Sequence, residues 1–149
     1  MIGEIDWRGT ADDVVLLPAR VETVVVHPDR LDERALALLA PLGPRIVFEN
    51  MDCQKRDGRT AAELARVFAA CPEAGFCLDV AHVRTHDPSL GLAFELLDAL
   101  GDRLRQLHVS GIEPDGTHRP TTAADLELYA PVLERCAGFP VVLEEPLEP

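Results

Sequence analysis

The sequence predicts a single α/β domain in which about five parallel strands alternate with helices. Short apolar runs recur along the chain, and each is followed by residues with the 3.6-residue apolar spacing of a helix. The runs lie roughly 30 residues apart, the length of a strand, helix and return strand in a parallel βαβ unit. Such units share one hand of crossover, so the carboxyl ends of their strands meet at one edge. The predicted strands are Thr23–His27, Arg45–Asn50, Gly75–Val83, Leu104–Ser110 and Val141–Glu145.

Domain organisation follows from chain length and from where the pattern begins. The chain has 149 residues, which is long enough to bury a core and short enough to form one domain over 1–149. The strand and helix units occupy 23–146. Residues 1–22 form an arm of open role, in which Val14–Leu17 is an apolar patch that fits either a strand or a packed segment.

Residues that can cap backbone N–H groups mark the helix starts. Pro131 lies inside the last predicted helix, and we expect it to kink or split that helix because proline has no N–H to donate. The predicted caps are Asp29 or Asp32, Thr60 with Glu63, Asp87 with Pro88 at the first helical position, and Thr122.

Composition excludes several classes of partner. The formal net charge is -12 and Lys55 is the only lysine, whereas nucleic-acid binding requires clustered basic residues. The scarcity of lysine also removes most candidates for Schiff-base chemistry. The N-terminal residues lack a signal-peptide pattern, and no run has the length of a membrane span. The four cysteines form no Cys-x-x-Cys pair. We therefore expect reduced thiols, a cytoplasmic protein, and no nucleic-acid or membrane partner.

Four predicted strands close on a residue that can bind a metal: Glu49, Asp79, His108 and Glu144. A charged side chain at the end of an apolar run is costly unless it is paired or bound to a metal. Carboxylate oxygens with one imidazole nitrogen suit Mn, Mg, Co or Zn. The alternative is a set of ordinary strand-end groups solvated by water and helix N-termini. Four such residues in consecutive units favour a shared metal site.

Histidines and one loop extend this set. His27 ends the first predicted strand and could contact a substrate or be a surface histidine. His82 follows Asp79 by three residues and could contact a substrate, bind a second metal, or be a surface histidine that is hydrogen-bonded to a carboxylate. His118 and Arg119 lie in a long polar loop after the fourth strand, where functional groups concentrate, although a plain solvated loop has the same composition. Glu145 should point away from the site because side chains alternate along a strand.

These motifs resemble the xylose isomerase-like TIM barrels, a superfamily that includes ketose epimerases, hydroxypyruvate isomerase and the endonuclease IV type of nuclease. The resemblance implies that Glu49, Asp79, His108 and Glu144 are the metal ligands, with the two glutamates also acting as acid and base. It also implies a substrate-binding role for His82, His118 and Arg119, and His27-Pro28 resembles a His-Pro strand end that binds metal in the nuclease branch. We expect His27 to bind substrate as well. The motifs that carry the resemblance are Phe48-Glu49-Asn50, Leu78–His82, Leu107–Ser110 and Leu143-Glu144.

The resemblance covers about Thr23 to Pro146, which corresponds to the last five units of a barrel. A full barrel of eight units needs roughly 250 residues. We therefore expect a partial or shortened TIM barrel, with an open five-stranded doubly wound sheet as the alternative. Uncovered sheet edges predict a homodimer or another homo-oligomer, or pairing with a separate N-terminal half.

The leading functional hypothesis is a divalent-metal-dependent sugar isomerase or epimerase. It would act on a small hydroxy-carbonyl substrate through an enediolate, with Glu49 and Glu144 moving the proton. A non-catalytic truncated barrel or binding module is one alternative. An endonuclease IV-like phosphodiesterase is another, although the nuclease Asp-x-His pair is not matched by Asp115 and His118, which are one residue too far apart.

Overall fold

Among the residues that the structure describes, six parallel strands form one sheet. The structure, a computed structural model, describes residues 2–4 and 22–144. All five predicted strands are confirmed, and the three-residue strand near the N-terminus was not predicted. The strands of this sheet are β1 (Ile2–Glu4), β2 (Thr23–Val26), β3 (Ile46–Glu49), β4 (Gly75–Asp79), β5 (Leu104–Val109) and β8 (Val141–Leu143), in the order β1-β2-β3-β4-β5-β8.

The sheet curls into a half-barrel. Within the described residues, β1 and β8 are edge strands, each paired on one side only. A small antiparallel hairpin of β6 (Gly111–Ile112) and β7 (His118–Arg119) follows β5. The predicted partial barrel of parallel strands is therefore confirmed, while the apolar patch at Val14–Leu17 lies outside the described residues.

Helices connect the parallel strands from β2 to β8. The helix face of the sheet carries most of the core, including Phe48, which packs edge-on against Phe68 at a ring-centroid distance of 5.7 Å. None of the helices described is both long and apolar enough to cross a bilayer. The helices are α1 (Glu33–Leu39), α2 (Ala61–Ala70), α3 (Val80–His86), α4 (Gly91–Leu100) and α5 (Ala123–Arg135), with 3-10 turns at Pro28–Arg30, Ala40–Arg45 and Gly101–Arg103.

The opposite, inner face of the sheet carries a second, smaller apolar cluster. Val25, Val47 and Cys77 lie there and are buried. Side chains alternate between the faces of a strand, so residues two positions further along point to the same side. Glu49 follows Val47, and Asp79 follows Cys77. The inner apolar layer thus supports a layer of acids at the carboxyl ends of the strands.

Two predicted element boundaries were wrong. The third strand ends at Asp79 rather than reaching Val83, because the Asp79 carboxylate accepts a hydrogen bond from His82 N and starts α3. The helix predicted to begin after Asp87 begins instead at Gly91, following Leu90 in a left-handed conformation. Asp87 still contributes, since its carboxylate accepts a hydrogen bond from Leu92 N.

Pro131 does not split its helix. α5 continues from Ala123 to Arg135 across the proline. Pro131 and Glu127, whose carbonyl loses its helical donor, are both on the exposed face. Water can therefore hydrate that carbonyl, which lowers the cost of the missing hydrogen bond.

Candidate metal centre

Strand register brings the four predicted ligands to one rim of the sheet. Glu49 and Asp79 are the last residues of β3 and β4, and Asp79 lies directly beside His108 on β5. His108 is in turn paired with Val142 on β8. Glu144 lies two residues beyond Val142 and therefore faces the same side as His108. Parallel pairing alone thus explains why residues far apart in the chain meet.

The donor atoms of these residues converge. One donor atom each from Glu49, Asp79, His108 and Glu144 all lie within 4.8 Å of one another. His108 Nδ1 is 2.6 Å from Glu144 Oε1 and 3.3 Å from Glu49 Oε1. Glu49, Asp79 and His108 are at most 2% exposed. The arrangement is compact enough for one cation to contact all four side chains.

These donor atoms also lack hydrogen bonds. Glu49 Oε1, Asp79 Oδ2, His108 Nδ1 and Glu144 Oε1 are all buried without a hydrogen-bond partner. Buried polar atoms are nearly always paired, because an unpaired one costs about 1–3 kcal/mol. Three carboxylate oxygens and one imidazole nitrogen are suitable ligands for a divalent cation. The four residues therefore fit the metal that the sequence predicts.

His27 holds the other oxygen of Glu49. The His27 ring follows β2, and its Nε2 donates a hydrogen bond to Glu49 Oε2 at 3.0 Å. Glu49 Oε1 is left pointing toward His108 and the other donor atoms. His27 therefore orients the Glu49 carboxylate.

Asn50 joins the ends of β3 and β4 and was assigned no role from the sequence. Its amide donates to Asp79 O at 2.9 Å and accepts from Asp79 N at 2.8 Å. His82 Nδ1 lies 2.8 Å from Asn50 O and must donate to it, because a carbonyl oxygen only accepts. The signal in the sequence was an amide directly after the acid that ends an apolar run.

A second group of donors lies beside the first. With Nδ1 donating to Asn50, the Nε2 of His82 faces His118 Nε2 at a distance of 3.2 Å. His118 Nδ1 is 3.6 Å from Glu144 Oε2, which links the two groups. Asp79, His82 and His118 form a further set of potential ligands within 4.8 Å of one another.

The β6–β7 hairpin carries His118 to this position. Gly116 occupies its turn with a φ of 84°, a left-handed conformation that favours glycine. The exposed Asp115 carboxylate accepts a hydrogen bond from Thr117 N at 3.0 Å and so shapes the same turn. Asp115 thus has a local structural role, while His118 reaches the centre.

Arg119 is engaged by two acids. Its guanidinium forms two hydrogen bonds to Asp125, at 2.7 and 3.0 Å, and lies 3.1 Å from Glu113. Asp125 is 2% exposed and also accepts a hydrogen bond from Arg84 on α3. Asp125 therefore ties the hairpin that carries His118 to the helix that carries His82. The substrate-binding role of Arg119 stays a prediction.

Crowded acids shift the proton affinities in the centre. Burial, reinforced by the charge of Glu49, raises the pKa of Asp79 to about 7, although His82 acts against the shift. Burial alone would lower the pKa of His82, but the charges of Asp79 and Glu49 outweigh it and raise that pKa. Both shifts retain protons near the carboxylates. A bound divalent cation would supply the same positive charge.

Comparison with known proteins gives matches at the level of structure. No family model matches the sequence, and no curated protein does. Endonuclease IV from Thermus thermophilus aligns with a TM-score of 0.60 and 25% identity, over 86% of this chain and 56% of the nuclease. D-psicose 3-epimerase aligns with a TM-score of 0.57 and 12% identity, over 85% of this chain and 51% of the epimerase. A 3-keto-D-glucoside 4-epimerase from E. coli aligns with a TM-score of 0.49 and 16% identity, over 85% of this chain and 57% of that enzyme.

The chain has the fold of a partial TIM barrel and is similar in structure to endonuclease IV and D-psicose 3-epimerase, two xylose isomerase-like TIM barrels. It spans about half the length of the first two solved structures that it matches. The predicted ligands of this partial barrel lie at the carboxyl ends of its strands, where TIM-barrel enzymes place their active sites.

Proposed function

We propose that the partial barrel binds one divalent cation through Glu49, Asp79, His108 and Glu144 and isomerises or epimerises a small sugar-like hydroxy-carbonyl compound. The observation that carries this proposal is the convergence of four buried donor atoms that have no hydrogen-bond partner. Mn, Mg, Co and Zn all accept such mixed oxygen and nitrogen ligands.

The bound cation would supply Lewis-acid polarisation of neighbouring carbonyl and hydroxyl oxygens, which acidifies the proton between them. Glu144 is the more exposed of the two glutamates, with 16% of its side chain accessible against 1% for Glu49. We therefore assign Glu144 to the proton transfer that begins the reaction and Glu49 to the opposite transfer. His27 holds Glu49 in place for this step.

The net charge of the chain and its structural similarity to an epimerase support a small neutral substrate. The net charge of -12 repels polyanions. One aligned structure is a D-psicose 3-epimerase determined in the presence of D-fructose. His82 and His118, beside the ligand set, are our candidates for contacting substrate hydroxyl groups.

Hydrogen exchange tests the proposal directly. The Mn-loaded protein in D2O, supplied with D-fructose or D-psicose, is expected to incorporate deuterium at the carbon beside the carbonyl, observed by NMR. Glu144→Gln should abolish the exchange, whereas Glu127→Gln, at an exposed position of α5, should retain it. Metal binding without exchange for any hydroxy-carbonyl compound would instead favour a non-catalytic binding module.

A second candidate is metal-dependent phosphodiester hydrolysis. The second donor set of Asp79, His82 and His118 favours it, because many enzymes of phosphodiester cleavage use adjacent cations. The aligned endonuclease IV structure is consistent with the same idea. The number of cations bound per chain separates the two candidate functions. Isomerisation predicts one cation in both the natural protein and His118→Ala. Two cations in the natural protein and one in His118→Ala would favour hydrolysis.

Association and location stay predictions. The apolar residues Val141 and Leu143 on edge strand β8 are 51% and 61% exposed. This exposure is consistent with the homodimer, or the separate N-terminal half, expected from the sequence. Sedimentation equilibrium of the pure chain should give twice the monomer mass, and a compact monomer would contradict the dimer. The expected cytoplasmic location awaits imaging of a tagged protein in its host cell.

A further inference from the structure

Gln106 lies beneath the predicted ligand His108. Both residues are on β5 and, two positions apart, they face the same inner side of the sheet. Gln106 is 3% exposed, and its Nε2 lies 2.7 Å from His108 Nε2. The carboxamide therefore contacts the ring nitrogen that points away from the carboxylates.

The two nitrogens of His108 have opposite surroundings. Nδ1 faces the carboxylates of Glu144 and Glu49 at 2.6 and 3.3 Å. Only a deprotonated Nδ1 has the lone pair that a cation requires, and the proton of a neutral ring must then reside on Nε2. That Nε2–H is buried and needs an acceptor.

Gln106 can form a hydrogen bond with His108 Nε2 whichever ring nitrogen carries the proton. With Nδ1 protonated, the amide NH2 donates to the lone pair of Nε2, which is the contact in the structure. With Nε2 protonated, a half-turn of the amide presents its carbonyl oxygen as acceptor. The thiol of Cys77, also within 4.8 Å of the His108 donor, is only a weak acceptor.

We propose that Gln106 is a positioning residue that selects the tautomer of His108 and turns its amide when a cation binds. The inference rests on the proposed metal-binding function. It makes cation affinity depend on a side chain that does not touch the cation, as outer-shell partners of ligating histidines do.

Two variants separate the role of Gln106 as a hydrogen-bond acceptor from its role in packing. Gln106→Met keeps the volume but offers no strong acceptor, and we expect Mn affinity to fall about 10- to 100-fold in calorimetry. Gln106→Glu offers only an acceptor and should restore affinity. Its added charge would also attract a cation, so affinity in this variant cannot decide the matter alone.

The tautomer of His108 decides whether Gln106 has the proposed role. The 15N shifts of His108 in the metal-free protein should show more Nε2–H form in Gln106→Glu than in the natural protein, with the Asn50-bound His82 as internal reference. Unchanged shifts in Gln106→Glu, or unchanged Mn affinity in a folded Gln106→Met, would overturn the inference. A further outcome is that the natural protein binds no Mn while the His108 tautomer still changes in Gln106→Glu. In that case the proposed function would fail, and with it the role of Gln106 in cation binding. If Gln106→Glu did not fold, Gln106→Met would carry the test.

Discussion

His108 Nδ1 and Glu144 Oε1 lie 2.6 Å apart, and both are buried without a hydrogen bond. His108 is on β5 and Glu144 directly follows the adjacent strand β8, and they meet because parallel register aligns the strand ends. Glu49 and Asp79 add donors from β3 and β4 in the same way. The fold therefore concentrates negative charge and unpaired atoms at a single point of its rim.

Asp79 should make metal-free stability depend on pH. The pKa of Asp79, about 7, lies above the ordinary aspartate value. The contribution of Asp79 to the free energy of unfolding is therefore fully present below about pH 4 and is lost as the pH rises through about 7. Asp79→Asn removes this loss. In urea unfolding without metal, the variant should be more stable than the natural protein by more than about 1 kcal/mol at pH 8 and much less so at pH 4.

Added Mn should reverse that order at pH 8. The natural protein gains stability from the cation, whereas Asp79→Asn lacks a ligand and gains little. A variant that is less stable than the natural protein at pH 8 without metal would contradict the electrostatic description of the centre.

Asp125 should stabilise the hairpin and α3 together. Asp125→Asn keeps the shape but removes the charge that binds Arg119 and Arg84, and should lower the free energy of unfolding by about 2 kcal/mol. Hydrogen bonds from Arg119, acting against burial, hold the pKa of Asp125 far below its usual range. Its contribution is therefore present above about pH 4 and is lost as the pH falls further.

The measurement is denaturant unfolding of both proteins from pH 7 downward. The stability difference should stay constant to about pH 4 and shrink below it. An equal difference at pH 2 and pH 7 would show that Asp125 acts through packing rather than through charge.

Phe48 should anchor the helix face of the sheet. Its ring is fully buried and packs edge-on against Phe68. Phe48→Ala should destabilise the protein by about 3–5 kcal/mol in thermal or urea unfolding. Leu126→Ala, at a side chain that is 45% exposed, is the control and should change stability by less than about 1 kcal/mol. Similar losses in the two variants would place the core elsewhere.

The strands and their polar ends could be predicted because each is encoded locally. An apolar run followed by Glu49 or His108 contains the strand, its end and the predicted ligand in a few consecutive residues. The start of α3 could not be predicted, because Val80, Ala81 and Val83 continue the apolar pattern of β4. Only the direction of the Asp79 carboxylate distinguishes a cap from a further strand residue.

Tertiary pairing was also beyond sequence reasoning. The attachment of Arg119 and Arg84 to Asp125 joins three separate elements, and no spacing rule encodes such contacts. Asn50 and Gln106 act through hydrogen bonds between or along strands, which require the register to be known. Strand β1 was missed because three residues are too few to show a period.

Cation titration by calorimetry tests the central claim most directly. The natural protein should bind one Mn or Co ion per chain, and His108→Ala and Glu49→Gln should each lose more than the 10- to 100-fold affinity that an outer-shell change costs. Glu127→Gln, on the exposed face of α5, should bind as the natural protein does. Absence of binding to the natural protein, or equal binding after His108→Ala and Glu49→Gln, would contradict a shared metal centre at the rim of the half-barrel.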